Sequence, residues 1–140
     1  METKFNFKSQ VSTSCSQSER LLALGLKKET ADFYTPIKLN PDKGSLSCLP
    51  DFWTSDEPFI KKIREASIPA WSLHRLLCML PRCVDGGYHL AISYDHIEYR
   101  TTYNEVTTWW RGGGNTYDMI IETIEWLIKE GYFNKEYLEE

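Results

Sequence analysis

His74 and Cys78 lie four positions apart, which sets both on one face if the segment is helical, and Cys83 follows closely. His89 and His96 occupy the next segment. Imidazole and thiolate are zinc ligands, but a zinc site needs a third or fourth ligand at compatible distance. Nothing in the spacing brings His89 or His96 to Cys78, no CxxC pair occurs, and the cysteine-to-histidine spacings are not those of a zinc finger. The structural reading is favoured: a semi-exposed histidine beside a buried cysteine acting as a small hydrophobe. The same side chains could form a thiolate–imidazole pair for nucleophilic catalysis. Yet no cysteine opens a helix, where its pKa would fall. No GxSxG, HExxH or paired-carboxylate signature is present either. The expectation is no catalytic residue, no metal ligand set and no cofactor.

The run Trp109-Trp110-Arg111-Gly112-Gly113-Gly114-Asn115 offers different chemistry. It precedes a helix start, where free N–H groups and the helix dipole favour an anion. Arg111 could clamp a phosphate or carboxylate with two parallel bonds. The P-loop Lys-Ser/Thr is missing and there is no GxGxxG, so a plain turn is the favoured alternative for Gly112, Gly113 and Gly114. On a strand, adjacent residues face opposite ways, so one of Trp109 and Trp110 points inward and the other outward. With Arg111, the outward tryptophan makes a binding surface; the rival reading is structural cover under the segment 50–67, or a dimer contact. Both stay open. Trp109, Trp110, Arg111, Gly112, Gly113 and Gly114 are the candidate binding residues.

The elements that position these residues follow from periodicity. Apolar residues at Tyr117, Ile120, Ile121, Ile124, Leu127 and Ile128 trace one stripe of a helix from Asn115-Thr116 to its stop at Gly131. A second helix carries Leu73, Leu76, Leu77 and Leu80 after Pro69-Ala70-Trp71-Ser72 and ends at Pro81. Ser16-Gln17-Ser18-Glu19 fits a capping box ahead of Leu21, Leu22, Leu24 and Leu26, with Gly25 at the helix end. A short helical turn over Lys28 to Tyr34 follows, limited by Pro36. Residues 37–39 and 45–49 read as strands around Pro41-Asp42-Lys43-Gly44. The segment 50–67 fits either a short helix after Glu57-Pro58 or a surface loop.

Tyr88, Leu90, Ile92 and Tyr94 alternate with polar or small residues and predict a hairpin over 88–103. With a loop at Asp95-His96, Tyr94 opposes Ile97, Ile92 opposes Tyr99 and Leu90 opposes Thr101. A third strand spans Val106 to Trp110. The expected fold is α+β: a small antiparallel sheet packed on one face by two main helices, with a short N-terminal helix nearby.

A length of 140 residues suits one domain, with a polar segment over 1–14 and a short acidic tail. Sixteen basic against twenty acidic residues give a net charge of -4, which argues against nucleic acid as a partner. No signal-peptide run or eighteen-residue apolar stretch occurs, so the expected setting is cytoplasmic, without membrane and with reduced thiols. Aromatic content of 14% supplies both cores and interfaces.

The chain resembles a family of small proteins from gut Bacteroidetes, their phages and mobile elements. The resemblance rests on Ser18-Glu19-Arg20-Leu21-Leu22-Ala23-Leu24-Gly25-Leu26, Glu29-Thr30-Ala31-Asp32, Ile68-Pro69-Ala70-Trp71-Ser72-Leu73 and Leu80-Pro81. Tyr117-Asp118-Met119-Ile120 and Glu125 through Phe133 complete it. These blocks are helix starts, core stripes and a stop; the resemblance brings no activity and no functional residue. It implies an accessory product of a bacterial cytoplasm. The expected function is therefore non-enzymatic, by contact with a protein partner or as a homodimer. The alternative is a small anion or nucleotide binder, or an enzyme, using Arg111 to Gly114.

Overall fold

The structure, a computed structural model, describes residues 10–38, 44–102 and 106–140. It is an α+β fold in which the strands divide between two antiparallel sheets. In chain order the elements are α1 (Cys15–Ala23), a 3-10 turn (Lys28–Thr30), β1 (Phe33–Thr35), β2 (Leu46–Ser47), α2 (Pro58–Glu65) and β3 (Ile68–Ala70). Then come α3 (Leu73–Met79), β4 (Cys83–Val84), β5 (Tyr88–Ile92), β6 (His96–Arg100), β7 (Thr107–Gly112), α4 (Thr116–Glu130) and a 3-10 turn (Lys135–Tyr137). The three-stranded sheet runs β2-β1-β3 and the four-stranded sheet β4-β5-β6-β7.

The long helix forms where its periodicity predicts. Asn115 caps it, its Oδ1 accepting from the N–H of Tyr117 at 2.8 Å and of Asp118 at 3.3 Å. Gly131 ends it at φ 80°, a left-handed value that glycine adopts without a Cβ penalty. Ile120, Ile121, Ile124 and Leu127 are fully buried, and the stripe meets Ile97 and Tyr99 of β6. Each such side chain stabilises the fold by about 1.5–3 kcal/mol through the apolar surface it removes from water.

The remaining helices and strands differ from expectation in instructive ways. The capping box of α1 is Ser14 with Gln17, not Ser16 with Glu19: Ser14 Oγ accepts from Gln17 N–H at 3.2 Å and Gln17 Oε1 from Ser14 N–H at 2.9 Å. Gln17 wins because its amide also donates to Asp118 at 2.8 Å, tying the starts of α1 and α4 together. The helical turn expected over Lys28 to Tyr34 stops at Thr30, and Phe33–Thr35 is strand. Asp32 accepts from the Ser72 N–H at 2.9 Å, which draws the chain out alongside Ile68–Ala70. That stretch, read as a helix approach, is β3. Leu46–Ser47 pairs with Phe33 and Tyr34 rather than with 37–39; Ile37 and Lys38 form a turn, and the turn at 40–43 lies outside the described residues. Within 50–67, the helix starts at Pro58 with Glu57 as its cap.

The hairpin forms in a register two residues away from the one predicted. Ile92 opposes Ile97 and Leu90 opposes Tyr99, with Tyr94-Asp95 at the tip. Ser93 N–H donates to the His96 carbonyl at 2.9 Å, and Ser93 Oγ donates to Asp95 Oδ1 at 2.7 Å. These bonds close the turn one position earlier on each strand. A shift by two leaves every side chain on the same face, so the apolar residues still coincide. Residue 103 of the predicted hairpin lies outside the described residues. The third strand runs Thr107–Gly112, two residues beyond the expected end.

Trp71, just after β3, ties the segment before α1 and the turn after that helix to the three-stranded sheet. It is fully buried, its indole N–H donates to Thr30 Oγ1 at 2.9 Å, and its backbone exchanges bonds with Thr13. Near the other end of the chain, Leu26 and Leu138 form a β-bridge, with Lys27 N–H donating to the Tyr137 carbonyl at 2.9 Å and Glu139 N–H to that of Gly25 at 2.7 Å.

Replacing Asn115 by alanine removes both cap bonds and the contact from its Nδ2 to Gln10. Urea unfolding is expected to show a loss of about 1–2 kcal/mol.

Candidate functional site

Alternation along β7 separates the candidate residues. Trp109 opposes Tyr99 and Arg111 opposes Ile97, so both lie on the face that α4 covers. Trp110 opposes Glu98 and Gly112 opposes His96, on the face turned away from α4. The six residues therefore do not make one surface.

On the α4 side, Trp109 is half-buried. Its ring stacks on Trp126 with centroids 5.0 Å apart, and its N–H donates to Thr123 Oγ1 at 3.0 Å. Thr123 in turn donates to the Met119 carbonyl at 2.8 Å, so the indole N–H is satisfied as burial demands. The Arg111 guanidinium lies 4.5 Å from the Trp109 ring centre and pairs with Glu122 at 3.5 Å. A groove of about 230 Å³ runs between β7 and α4 here, lined by Trp109, Arg111, Glu122, Glu125, Trp126 and Lys129. Glu122, Glu125, Trp126 and Lys129 share a helix face by their spacing. That face was readable in the sequence, but its position over β7 was not.

Arg111 thus engages the middle of α4 and not its start. The start itself is occupied: Asn115 takes two of the free N–H groups, and the Asp118 carboxylate stands in the first turn. Gly113 and Gly114 take φ of 77° and 83°, and Gly113 N–H donates to the Asp95 carbonyl at 3.0 Å, pinning this turn to the hairpin tip. The glycines serve the turn, and the N–H groups of Gly113, Tyr117 and Asp118 are already bonded within the chain.

On the opposite face, Trp110 is 53% exposed. Its ring leans along the strand over Gly112 and stacks on His96 at 6.1 Å. A Cβ built on Gly112 would sit 2.4 Å from the Trp110 ring, so glycine is what lets the indole lie flat there. Beside it, the largely covered Glu98 carboxylate accepts Arg100 at 3.3 Å. At the hairpin tip, Tyr94 is 91% exposed; Ile92, 43% exposed, opposes Ile97 and so belongs to the α4 side. Hydrogen bonds from Ser93 and His96 hold the Asp95 carboxyl below the usual carboxylate range. Tyr94 was not among the candidate binding residues and His96 was weighed only as a metal ligand or base; the shift of the two-residue loop by one position is what brings them to this end.

The thiols and imidazoles fall into two separate pairs. Cys78 Sγ lies 3.5 Å from His74 Nε2, and Cys83 Sγ 3.6 Å from His89 Nδ1. Among the described residues no group of three or more histidine, cysteine, aspartate or glutamate side chains could hold a metal ion. Cys15, Cys78 and Cys83 are exposed; Cys78 is not the buried residue expected, and Cys15 opens α1 although no cysteine was expected at a helix start. Burial, with the Asp32 carboxylate nearby, pushes the Cys48 thiol up to about 11 against the opposing effect of a hydrogen bond with Trp53.

Two measurements check this geometry. Gly112→Ala is expected to lift the Trp110 ring off the strand at a cost of about 1 kcal/mol, changing the near-ultraviolet dichroism while the far-ultraviolet spectrum stays the same. Iodoacetamide at pH 8 is expected to label three cysteines quickly and Cys48 last, because moving its pKa from 9.0 to about 11 leaves roughly a hundredfold less thiolate.

No protein-family model, curated protein or solved structure matches the chain, so its geometry is what bears on its function.

Proposed function

We propose that this protein works by contact with another protein, through the hairpin-tip end of its four-stranded sheet, and not by catalysis. The observation that carries this reading is the exposure of two large aromatic side chains there, Tyr94 at 91% and Trp110 at 53%, with Ile92 exposed on the α4 side of the same tip. Leaving such groups in water forgoes burial that would stabilise the fold, and exposed apolar surface of this kind marks interaction sites. Tryptophan and tyrosine are also the residues that dominate interface energetics, because each buries much area with few rotatable bonds. The Glu98–Arg100 pair and His96 beside Trp110 supply a polar rim.

The scaffold supports the same reading. The backbone of β6 and β7 is fixed by the ladder and by α4, so the outward side chains are presented on a rigid element. The resemblance to accessory proteins of gut Bacteroidetes and their phages favours a role in a bacterial cytoplasm, modulating host machinery or defence. Among the described residues no helix is long and apolar enough to cross a membrane.

Capture from a gut Bacteroidetes lysate tests this, with the protein immobilised and retained partners identified by mass spectrometry. The wild type is expected to retain a defined protein, and Trp110→Ala to lose at least about tenfold of it while melting at the same temperature. Retention that is indifferent to Trp110 and Tyr94 would overturn the reading.

A further inference from the structure

We infer that β7 pairs edge to edge with β7 of a second copy of this chain, antiparallel about a two-fold axis through Trp110. This rests on the reading above, since it names a partner for the same end of the sheet.

β7 ends the four-stranded order and has six residues, whereas the other edge strands, β2, β3 and β4, have two, three and two. Among the described residues it is the edge long enough to carry a ladder. Its free backbone groups can be identified. Gly113 N–H donates to the Asp95 carbonyl, and antiparallel bonding alternates, so Arg111 and Trp109 direct their N–H and C=O toward β6. Those of Trp110 and Gly112 face outward. Among the described residues, the one side-chain hydrogen bond to them comes from Arg111, which meets the Trp110 carbonyl at a long 3.4 Å.

Natural sheets guard such an edge with lysine, proline, a short strand or an inward charge. Thr107 to Gly112 contains no lysine and no proline. Its one charge, Arg111, is already occupied by Trp109 and Glu122. A bulge at Thr108 interrupts the strand's start, but Trp109 to Gly112 pair in regular register and carry no such guard.

Symmetry then selects the register. Two copies paired edge to edge by a two-fold keep α4 on the same side of the joint sheet, so a residue must oppose one that faces the same way. Centring on Trp109 would set Gly112 against Val106, whose N–H and C=O are already used by Thr101. Centring on Trp110 sets the outward groups of Trp110 against their own copies. It also places Trp109 opposite Arg111 of the second copy, repeating between chains the cation–ring contact that each makes within itself.

The charges beside β7 fit a second copy as well. Arg111 and Lys129 in the groove balance Glu122 and Glu125, so this surface is neutral in a chain of net charge -4. Two such surfaces meet without the repulsion that a net acidic patch would impose.

Sedimentation equilibrium of the full chain from micromolar to millimolar concentration tests the pairing, together with hydrogen exchange across the same range. The wild type is expected to form dimers, with amide exchange across 107–112 slowing as concentration rises. Trp110→Lys places two ammonium groups at the axis and is expected to weaken dimerisation at least about tenfold. A strictly monomeric wild type, or dimers in which 107–112 exchanges as fast as in the monomer, would overturn the pairing, and the exchange result needs no variant to fold. A monomer that still retains a foreign protein through Trp110 overturns this inference and leaves the proposed function standing. Absence of both dimer and foreign partner overturns the two together.

Discussion

The packing of α4 across β6 and β7 is the contact on which the rest of the molecule depends. Ile120, Ile121, Ile124 and Leu127 are fully buried, and so are Ile97 and Tyr99 beneath them. A close-packed interior of this kind fixes the face of each strand that turns inward, because a one-residue slip would drive the whole apolar set into water. Once Tyr99 is inside, Trp109 must follow it and Trp110 must face away. The division of the tryptophans is a consequence of the core.

Polar groups finish what the apolar stripe begins. Thr123 sits among isoleucines without exposure, yet its hydroxyl donates to Met119 and accepts from Trp109. A neighbouring residue of the same size without a hydroxyl would leave the indole N–H stranded in a dry site, which costs about 1–3 kcal/mol. Tyr99 is handled in the same way, donating to the Pro81 carbonyl at 2.8 Å. Burial pushes that phenol upward, so it stays protonated and keeps donating through the ordinary tyrosine range. Among the described residues every buried side-chain nitrogen and oxygen has a partner.

What could be read from the sequence follows from how far each signal extends. The α4 stripe runs for four turns between an asparagine cap and a glycine stop, and such long periodicity survives any local error. Strands of two or three residues carry no periodicity, so β1 was read as a helical turn, β3 as a helix approach, and β2 as a strand with the wrong partner. The capping box was misplaced because serines at 14, 16 and 18 offer competing starts, and the long-range bond from Gln17 to Asp118 decides among them. At the site, strand alternation alone separates Trp109 from Trp110. The Arg111–Glu122 pair was out of reach, since it depends on how far α4 is shifted along β7. The Asp95-to-Gly113 bond likewise comes from the hairpin tip meeting a turn that no local pattern announces.

The bridge between Leu26 and Leu138 clasps two segments that lie far apart in the sequence. It ties the enclosure of Leu21 and Leu26, both fully buried, to the docking of the turn at Lys135–Tyr137. The entropy of closing so long a loop grows only with the logarithm of its length, by about 0.6 kcal/mol for each doubling. A few backbone bonds and the apolar surface beneath them are therefore enough to hold distant stretches of the polypeptide together.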